Sequence, residues 1–335
     1  MNDPGKAVPA AVADVCVVVV NFRAAALTLR AVNSVRRSTG IAVHTIVVDN
    51  GSGDGSAEQF SAEWSGVADL TILAQAVNAG FTGGSNAGVA IAKERGARWA
   101  LLLNNDAVIE PDAIRRLVEE GERGDRVALL NPCILLGAPS TLLWFGGARY
   151  SPWSGRPVHV GRQQAAAHGW DAPRDLPFAT GCALLVRLDA VSDAPFDVSL
   201  FGYAEDLDLS LRLRRAGWRL RYVPTAVVRH DDGTTYRRAG GDALRFYFGT
   251  RNLIRVAARH ARWFHWPVLA PMLAVNVVAR HAISVLRHGD VAACVAVLRG
   301  TVHAVTGGRH AIEPPRAAPS ASQRAAPRRG QSTPG

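Results

Sequence analysis

The residues best placed to do chemistry follow an apolar run. Residues 101–103 are leucines, and Asn104, Asn105 and Asp106 come directly after them. Asn and Asp are common in turns, because their side chains hydrogen-bond to nearby backbone. The same three side chains could instead stand at the end of a buried strand, in a polar cleft that holds a ligand or a metal ion. This fragment alone leaves both interpretations open.

A second acidic cluster consists of Glu205, Asp206 and Asp208. Leucines at alternate positions in this segment favour a strand. However, the acids come first, arginines follow, and Gly217 comes last, which is the order that complements a helix dipole and ends a helix. We therefore predict a helix with its carboxylates at the N-terminal end. Helix capping explains one of the acids but less readily all three.

His230 ends a later apolar run and precedes two aspartates. A single histidine is more often structural than a ligand. Its position after a predicted strand leaves both roles open.

The elements that must position these residues follow from the hydrophobic pattern. Predicted strands cover residues 15–22, 44–50, 69–75 and 98–106. Amphipathic helices alternate with them, which predicts an α/β sheet with right-handed crossovers. Ligands bind beyond the carboxyl ends of such strands. Polar residues stand at three of these ends: Asn21, Asp49 with Asn50, and Asn104 to Asp106. Together they indicate one site.

A glycine-rich stretch at residues 78–88 follows the third strand. A dinucleotide fingerprint would place its glycines after the first strand, so a nicotinamide-binding domain is disfavoured. The chain also lacks the Gly-Lys-Ser/Thr of a P-loop. We predict a loop in which Gly80, Gly83 and Gly84 let the backbone approach a ligand, with a phosphate-favouring helix N-terminus behind it. A tight turn explains one or two of these glycines.

The rest of the chain divides by composition. Residues 128–178 are rich in Gly, Pro and Trp, and we predict irregular structure with hairpins. Beyond residue 242 the pattern is helical and basic. From about residue 307, Pro, Ala, Arg and Ser dominate, which is typical of disorder.

Charge and cysteine content narrow the class of protein. The 335 residues carry a formal net charge of +10, which suggests a polyanionic partner. No recognition helix is evident, and aromatic residues do not alternate with basic ones, so nucleic acid is disfavoured. The four cysteines lie far apart, as expected for reduced thiols in the cytoplasm. We expect neither a signal peptide nor a membrane-spanning helix.

Several motifs together resemble one known family. They are VVVVNF, VVDNGSGDGS, NAGFTGGSNAG, LLLNNDAVIEPDAI, GCALLVR and FGYAEDLDLSLRLRRAGWRLRYVPTAVVRH. Their order and spacing resemble those of family-two glycosyltransferases, in particular a bacterial rhamnosyltransferase-like branch that decorates lipid-linked cell-envelope glycans. Each motif alone is weak evidence of kinship, but the ordered set, over about residues 15–235, is specific.

The resemblance implies a GT-A fold: a Rossmann-like mixed α/β sheet flanked by helices, with a C-terminal helical extension. It also implies a nucleotide-sugar donor and a divalent cation, Mg²⁺ or Mn²⁺. The nucleotide-sugar-binding residues would be Asn21, Asp49, Asn50, Asn78, Gly80, Gly83, Gly84, Asn86, Asn104 and Asn105. Asp106 and His230 would hold the metal, and Asp206, with Glu205 beside it, would be the catalytic base. Acceptor contacts would come from Gly181, Cys182, Asp208 and Arg251.

These roles suit the reaction. A cation stabilises the charge that develops on the leaving nucleoside diphosphate, and a positioned carboxylate accepts the proton of the acceptor hydroxyl. Displacement from the opposite face inverts the anomeric carbon. An aspartate at a helix N-terminus is expected to stay ionised, because the dipole favours the anion. The resemblance suggests dTDP-L-rhamnose as donor, or else a UDP-linked sugar, with a lipid-linked or glycan acceptor.

The expected organisation combines composition with the resemblance. It comprises a flexible N-terminus (1–13), a catalytic domain (14–240) with a nucleotide-sugar half (about 14–127) and an acceptor half (about 128–240), basic amphipathic helices (241–306) and a disordered tail (307–335). Trp263, Phe264 and Trp266 resemble an interfacial element, which predicts peripheral contact with the inner face of the plasma membrane. Packing of an ordinary amphipathic helix on the domain is the alternative. Two other functions stay open: a non-catalytic nucleotide-sugar or glycan binding homologue, and a nucleotidyltransferase that would release pyrophosphate.

Overall fold

A computed structural model describes residues 14–166, 170–231, 241–288 and 291–307. The predicted flexible N-terminus and, apart from Gly307, the predicted disordered tail lie outside the described residues.

The order of elements alternates strand and helix in the first half of the chain. The strands are β1 (Val15–Asn21), β2 (Val43–Asp49), β3 (Leu70–Ala74), β4 (Trp99–Asn104), β5 (Ala107–Ile109), β6 (Val127–Leu136), β7 (Leu143–Phe145), β8 (Ala148–Ser151), β9 (Arg156–His159), β10 (Arg174–Asp175), β11 (Ala183–Arg187) and β12 (Arg219–His230). The α-helices are α1 (Ala25–Val35), α2 (Ser56–Glu63), α3 (Gly80–Glu94), α4 (Ala113–Arg123), α5 (Glu205–Arg215), α6 (Gly241–His260), α7 (Trp266–His288) and α8 (Val291–Thr306).

One mixed sheet carries the core, in the order β10-β12-β6-β11-β4-β1-β2-β3. Strands β3, β2, β1 and β4 are parallel, β11 is antiparallel to both β4 and β6, and β12 is parallel to β6. The apolar runs of β1 and β4 are buried, as expected for strands covered by helices on both faces. The four strands predicted in the first half are confirmed, and their carboxyl ends lie at one edge.

The prediction of irregular structure over residues 128–178 is wrong at its start, because β6 is a buried strand of 10 residues. Asn131 and Pro132 interrupt its apolar pattern. The Asn131 side chain is nevertheless paired: its Nδ2 donates to the carbonyls of Thr180 (2.9 Å) and Ala183 (2.7 Å), and its Oδ1 accepts from the Thr180 amide (2.8 Å). The predicted hairpins are confirmed by β8 and β9.

The predicted glycine-rich loop is instead the first turns of helix α3. A Cβ at Gly84 would lie 2.7 Å from Val20 Cγ1 of β1, so this glycine lets the helix approach the sheet. Gly80 has a φ of +74°, and a Cβ there would collide with the Phe201 carbonyl oxygen. A Cβ at Gly83 would meet the Ala79 side chain. The space beside these glycines is therefore occupied by protein.

Helix α5 confirms the helix predicted from charge order, with all three acids in its first turn. The C-terminal segment is helical as predicted, and α8 packs closely on α6: a Cβ at Gly300 would lie 2.7 Å from the Tyr247 carbonyl oxygen. Across the described residues, no helix combines the length and the apolar character needed to cross a bilayer.

Candidate active site

Buried polar side chains connect the carboxyl ends of β1, β2 and β4. Asn21 Nδ2 donates to Asp49 Oδ1 (2.7 Å) and Ser52 Oγ (3.1 Å). Thr28 Oγ1 donates to Asn21 Oδ1 (2.7 Å), and Asn105 Nδ2 lies 3.4 Å from the same hydroxyl. Pairing offsets the cost of burying these groups. Three of the predicted nucleotide-sugar residues therefore belong to one network.

A second amide network forms the N-terminus of α3. Asn50 Nδ2 donates to Asn78 Oδ1 (3.0 Å) and to the Gly80 carbonyl (2.9 Å), and Asn50 Oδ1 accepts from the Ala79 amide (3.1 Å). Asn78 Oδ1 also accepts from the Gly80 amide (2.8 Å). Asn50 and Asn78 therefore fix how α3 starts beside the strand ends.

Asp106 and His230 come from distant parts of the sequence and meet where β5 pairs with the end of β12. His230 Nε2 lies 3.0 Å from Asp106 Oδ1, and both side chains are buried. Burial acts to lower the pKa of His230, but the neighbouring side chains of Cys182 and Asp106 outweigh burial and raise this pKa to about 11. The backbone amide of Asp231 donates to the Asp106 carbonyl (3.0 Å) and fixes the end of the strand.

Asp106 and His230 offer a divalent cation two ligands, and substrate or water would have to supply the others. His230 Nε2 and Asp106 Oδ1 lie 3.0 Å apart, which is a hydrogen-bond distance and also the separation of two neighbouring ligands in an octahedron with bonds of about 2.1 Å. His230 Nδ1 is buried without a hydrogen-bond partner among the described residues. Within that part of the chain no group of three His, Cys, Asp or Glu could hold a metal. Ligation needs a neutral imidazole, so the cation would compete with the proton on His230.

The segment at Gly181 and Cys182 joins this pair to the second acidic cluster. Cys182 contacts His230, and the Gly181 amide donates to Asp206 Oδ2 (2.9 Å). Asp206 Oδ1 accepts from the Leu207 amide (2.7 Å) at the start of α5. Residues 181 and 182 therefore connect the Asp106–His230 pair to Asp206.

Glu205 lies buried next to Asp206. Burial, and then the charge of Asp206, raise the pKa of Glu205 to about 8. Its Oε2 atom has no hydrogen-bond partner in the described structure, and the side chain is 7% exposed. Burial also raises the pKa of Asp206, against the amides that donate to it. The helix dipole, from which an ionised Asp206 was expected, acts to lower this pKa, and burial acts in the opposite direction.

Three predicted site residues are engaged by protein elsewhere. Both ends of the Asn86 amide pair with the backbone of Phe196, at 2.9 and 3.0 Å. Asp208, 0% exposed, binds Arg212 (2.9 Å), Arg259 (3.1 Å) and His260 (2.9 Å), and so ties α5 to α6.

Arg251 is 4% exposed, and its guanidinium donates to the carbonyls of Ser199 (2.8 Å) and Leu200 (3.1 Å). These contacts do not place Asn86, Asp208 or Arg251 against a ligand.

Thr28 and Ser52, which complete the strand-end network, were not predicted from the sequence. Asn252, beside Arg251, was not predicted either. Ser52 lies in the loop after β2 that the motif VVDNGSGDGS already marked. Nothing in the local pattern distinguishes Thr28 from an ordinary helical threonine.

The fold is that of GT-A glycosyltransferases. The chain is similar to the crystal structure of GalNAc-T7 with UDP, GalNAc and Mn²⁺, with a TM-score of 0.54 and 14% identity over 86% of this chain and 55% of that one. It is also similar to S. aureus TarS 1-349 in complex with UDP-GlcNAc, with a TM-score of 0.54 and 14% identity over 87% of this chain and 81% of that one.

The family model described as "Glycosyltransferase like family 2" matches residues 13–263, so the chain belongs to this family of enzymes. An N-acetylglucosaminyl-diphospho-decaprenol L-rhamnosyltransferase of Mycobacterium tuberculosis is 27% identical over 246 residues, which are 68% of this chain and 78% of the relative. The succinoglycan biosynthesis protein ExoO of Rhizobium meliloti is 31% identical over 123 residues, 36% of this chain and 33% of that protein.

Proposed function

We propose that this family-two glycosyltransferase moves a sugar from a nucleoside diphosphate donor to a hydroxyl of a lipid-linked or glycan acceptor, with inversion. The observation that carries the proposal is the connection of Asp106 and His230 to Asp206 through Gly181 and Cys182. Sugar transfer needs an acid that binds a cation and a second acid that accepts a proton, close to one another.

Each side chain has a distinct task in this reaction. Asn21, Asp49 and Asn105 line the nucleoside pocket at the strand ends. Asp106 and His230 would hold the divalent cation, Mg²⁺ or Mn²⁺, which would supply positive charge to stabilise the leaving diphosphate.

Asp206 accepts the proton of the acceptor hydroxyl as that oxygen attacks the anomeric carbon. The amides of Gly181 and Leu207 each donate to one of its carboxylate oxygens, and so fix the direction from which the base acts. The sugar–phosphate bond breaks, and the nucleoside diphosphate leaves with the electron pair.

We propose dTDP-L-rhamnose as the donor and a polyprenyl-diphosphate-linked glycan as the acceptor. The support is the mycobacterial relative, whose name specifies L-rhamnose transfer to N-acetylglucosaminyl-diphospho-decaprenol. The UDP in the complexes of the two structural neighbours makes UDP-linked sugars the alternative donors.

The Asp206→Asn variant tests the base. Transfer of labelled rhamnose to the lipid-linked acceptor should fall by about 10²–10⁴-fold, while calorimetric donor binding stays within about twofold of wild type. Asp193→Asn is the matched control, because that carboxylate is exposed. Near-normal turnover of Asp206→Asn would refute the base assignment.

The C-terminal helices provide the proposed membrane contact, at the cytoplasmic face. Trp263 is 84% exposed, before the start of α7. On α8 the exposed apolar side chains recur every three or four residues along one face: Val291, Val295, Leu298, Val302 and Val305. Residues 261–307 contain four arginines and one acid, Asp290. A basic element with an exposed apolar face suits an anionic bilayer surface.

Vesicle flotation tests this contact. The wild type should float with vesicles that contain anionic phosphatidylglycerol, and Leu298→Glu should abolish flotation. Val77→Glu introduces the same charge at an exposed valine of the catalytic domain and should float normally. If Leu298→Glu and wild type float equally, the proposed contact is wrong.

A further inference from the structure

The loop directly before the candidate base has an uncommon backbone. Phe201, Tyr203 and Ala204 have φ values of 65°, 69° and 65°, in the left-handed region that residues with a Cβ rarely adopt. Glu205 and Asp206 follow at once, so the backbone path of this loop decides where α5 begins. Such a conformation persists only where surrounding groups hold it.

Asn252, on helix α6, holds the loop from one side. Its Nδ2 lies 2.7 Å from the Leu200 carbonyl, 2.7 Å from the Gly202 carbonyl and 2.9 Å from the Tyr203 carbonyl. The side chain is 0% exposed. The two N–H groups of this amide thus serve three carbonyls of the loop, and a buried carbonyl that loses its donor costs free energy.

Arg251 adds a second set of contacts and orients Asn252. Its Nη2 donates to the carbonyls of Ser199 and Leu200, and its Nε donates to Asn252 Oδ1 (2.8 Å), which turns the Asn252 amide nitrogen toward the loop. The guanidinium lies over the Phe248 ring, 4.9 Å from its centroid. Two of the three guanidinium nitrogens of this arginine therefore hold Asn252 and the backbone before α5.

The loop is held from the opposite side by helix α3. The Phe201 carbonyl accepts from the Thr82 amide (3.3 Å) and occupies the space that a Cβ at Gly80 would need. The Phe201 ring stacks on Phe248 of α6, with centroids 5.1 Å apart. The loop thus lies between the donor-side helix α3 and the C-terminal helix α6.

We propose that Arg251 and Asn252 are positioning residues for the reaction: from the C-terminal extension, they set the place of the base Asp206 through the loop at 199–204. This role rests on the proposed function of Asp206. The C-terminal helical extension would then position the catalytic base, in addition to its proposed contact with the membrane. A displacement of about 1 Å in a catalytic group can reduce turnover by about 100-fold.

The test uses Asn252→Leu in the full chain, with Thr250→Val as the matched control. Thr250 is a buried neighbour on α6 whose hydroxyl has no hydrogen-bond partner among the described residues. Sugar transfer, donor binding by calorimetry, circular dichroism and hydrogen exchange of the peptide at 199–208 are measured for each protein. The Asn252 variant should lose about 100-fold in kcat, with donor affinity within about twofold and faster exchange in that peptide.

Two results would overturn the proposal. One is unchanged exchange at 199–208; the other is faster exchange with wild-type kcat. If Asn252→Leu does not fold, Arg251→Lys is used instead, since lysine keeps the charge and one donor group. Arg251→Lys should show a smaller fall in kcat and a smaller rise in hydrogen exchange at 199–208. A wild-type kcat or wild-type exchange in this variant would refute the role. Should the wild type transfer no sugar at all, the proposed function fails, whereas exchange still reports whether Asn252 holds the loop.

Discussion

Replacing Glu205 by glutamine should make the folded protein more stable, and increasingly so as pH rises toward 8. Burial and the Asp206 charge raise the pKa of Glu205 from 4.5 to about 8. Between these values the folded chain keeps a proton that the unfolded chain releases, so the contribution of Glu205 to stability is complete below pH 4.5 and is lost as pH rises through about 8.

The size of the effect follows from that interval. Each pH unit above 4.5 costs the folded state about 1.4 kcal/mol until the folded carboxyl itself titrates, which amounts to about 3 kcal/mol at neutral pH. Glutamine has nearly the same shape and no proton to lose, so the variant escapes this cost. A smaller slope remains, because the pKa of Asp206 is also raised.

Urea unfolding at a series of pH values from about 5 to 8.5 measures this directly. The difference in unfolding free energy between Glu205→Gln and wild type should be small at the acidic end and should grow with pH. Glu63→Gln, at an exposed position of α2, is the control and should show no such trend. A difference that stays constant over the series would mean that Glu205 is ionised in the folded protein, which would refute the reasoning.

The remaining predictions concern other parts of the site. Asp208→Asn should lower the unfolding free energy, measured in urea at neutral pH, by about 3 kcal/mol, because buried His260 loses its partner. Burial acts to raise the pKa of Asp208, but His260 and arginines hold this pKa low. In the wild type the stabilisation is therefore lost as pH falls below about 4. Gly80→Ala should lower the melting temperature and slow transfer, because alanine would collide with the Phe201 carbonyl. Asn21→Ala should weaken calorimetric donor binding, because Asp49 and Ser52 lose the side chain that orients them at the strand ends. Chelation should abolish transfer, and Asp106→Asn should raise the Mn²⁺ concentration needed to restore it.

Much of the fold was predictable because it is encoded locally. The valine run of β1 and the leucines before Asn104 specify buried parallel strands wherever they stand in the chain. The charge order in α5 was informative for the same reason, since a helix dipole acts within its own turn. Strand β6 was not predicted because Asn131 breaks its apolar pattern. The hydrogen-bond partners that offset the cost of burying Asn131 come from a distant segment around Thr180.

The site was predictable in its outline and not in its details. Strand ends converge in any parallel sheet, so the meeting of Asn21, Asp49 and Asn105 follows from topology. The local pattern alone could not rank the acids of α5, because Asp206 and Asp208 both lie in its first turn and face different groups in space; only the family resemblance distinguished them. The sequence also did not show that the Arg251 guanidinium donates to the backbone carbonyls of Ser199 and Leu200.

The amino-acid sequence by itself determined the alternation of strands and helices, the polar strand ends and the order of motifs that marks a family-two glycosyltransferase, because each depends on residues close together in the chain. Tertiary structure alone decided that His230 meets Asp106, that Gly181 anchors Asp206 and that burial and the Asp206 charge raise the pKa of Glu205. These outcomes depend on which groups lose water and which partners replace it. Both are settled only when segments distant in the chain pack together: His230 lies 124 residues from Asp106, and Asp206 lies 25 residues from Gly181.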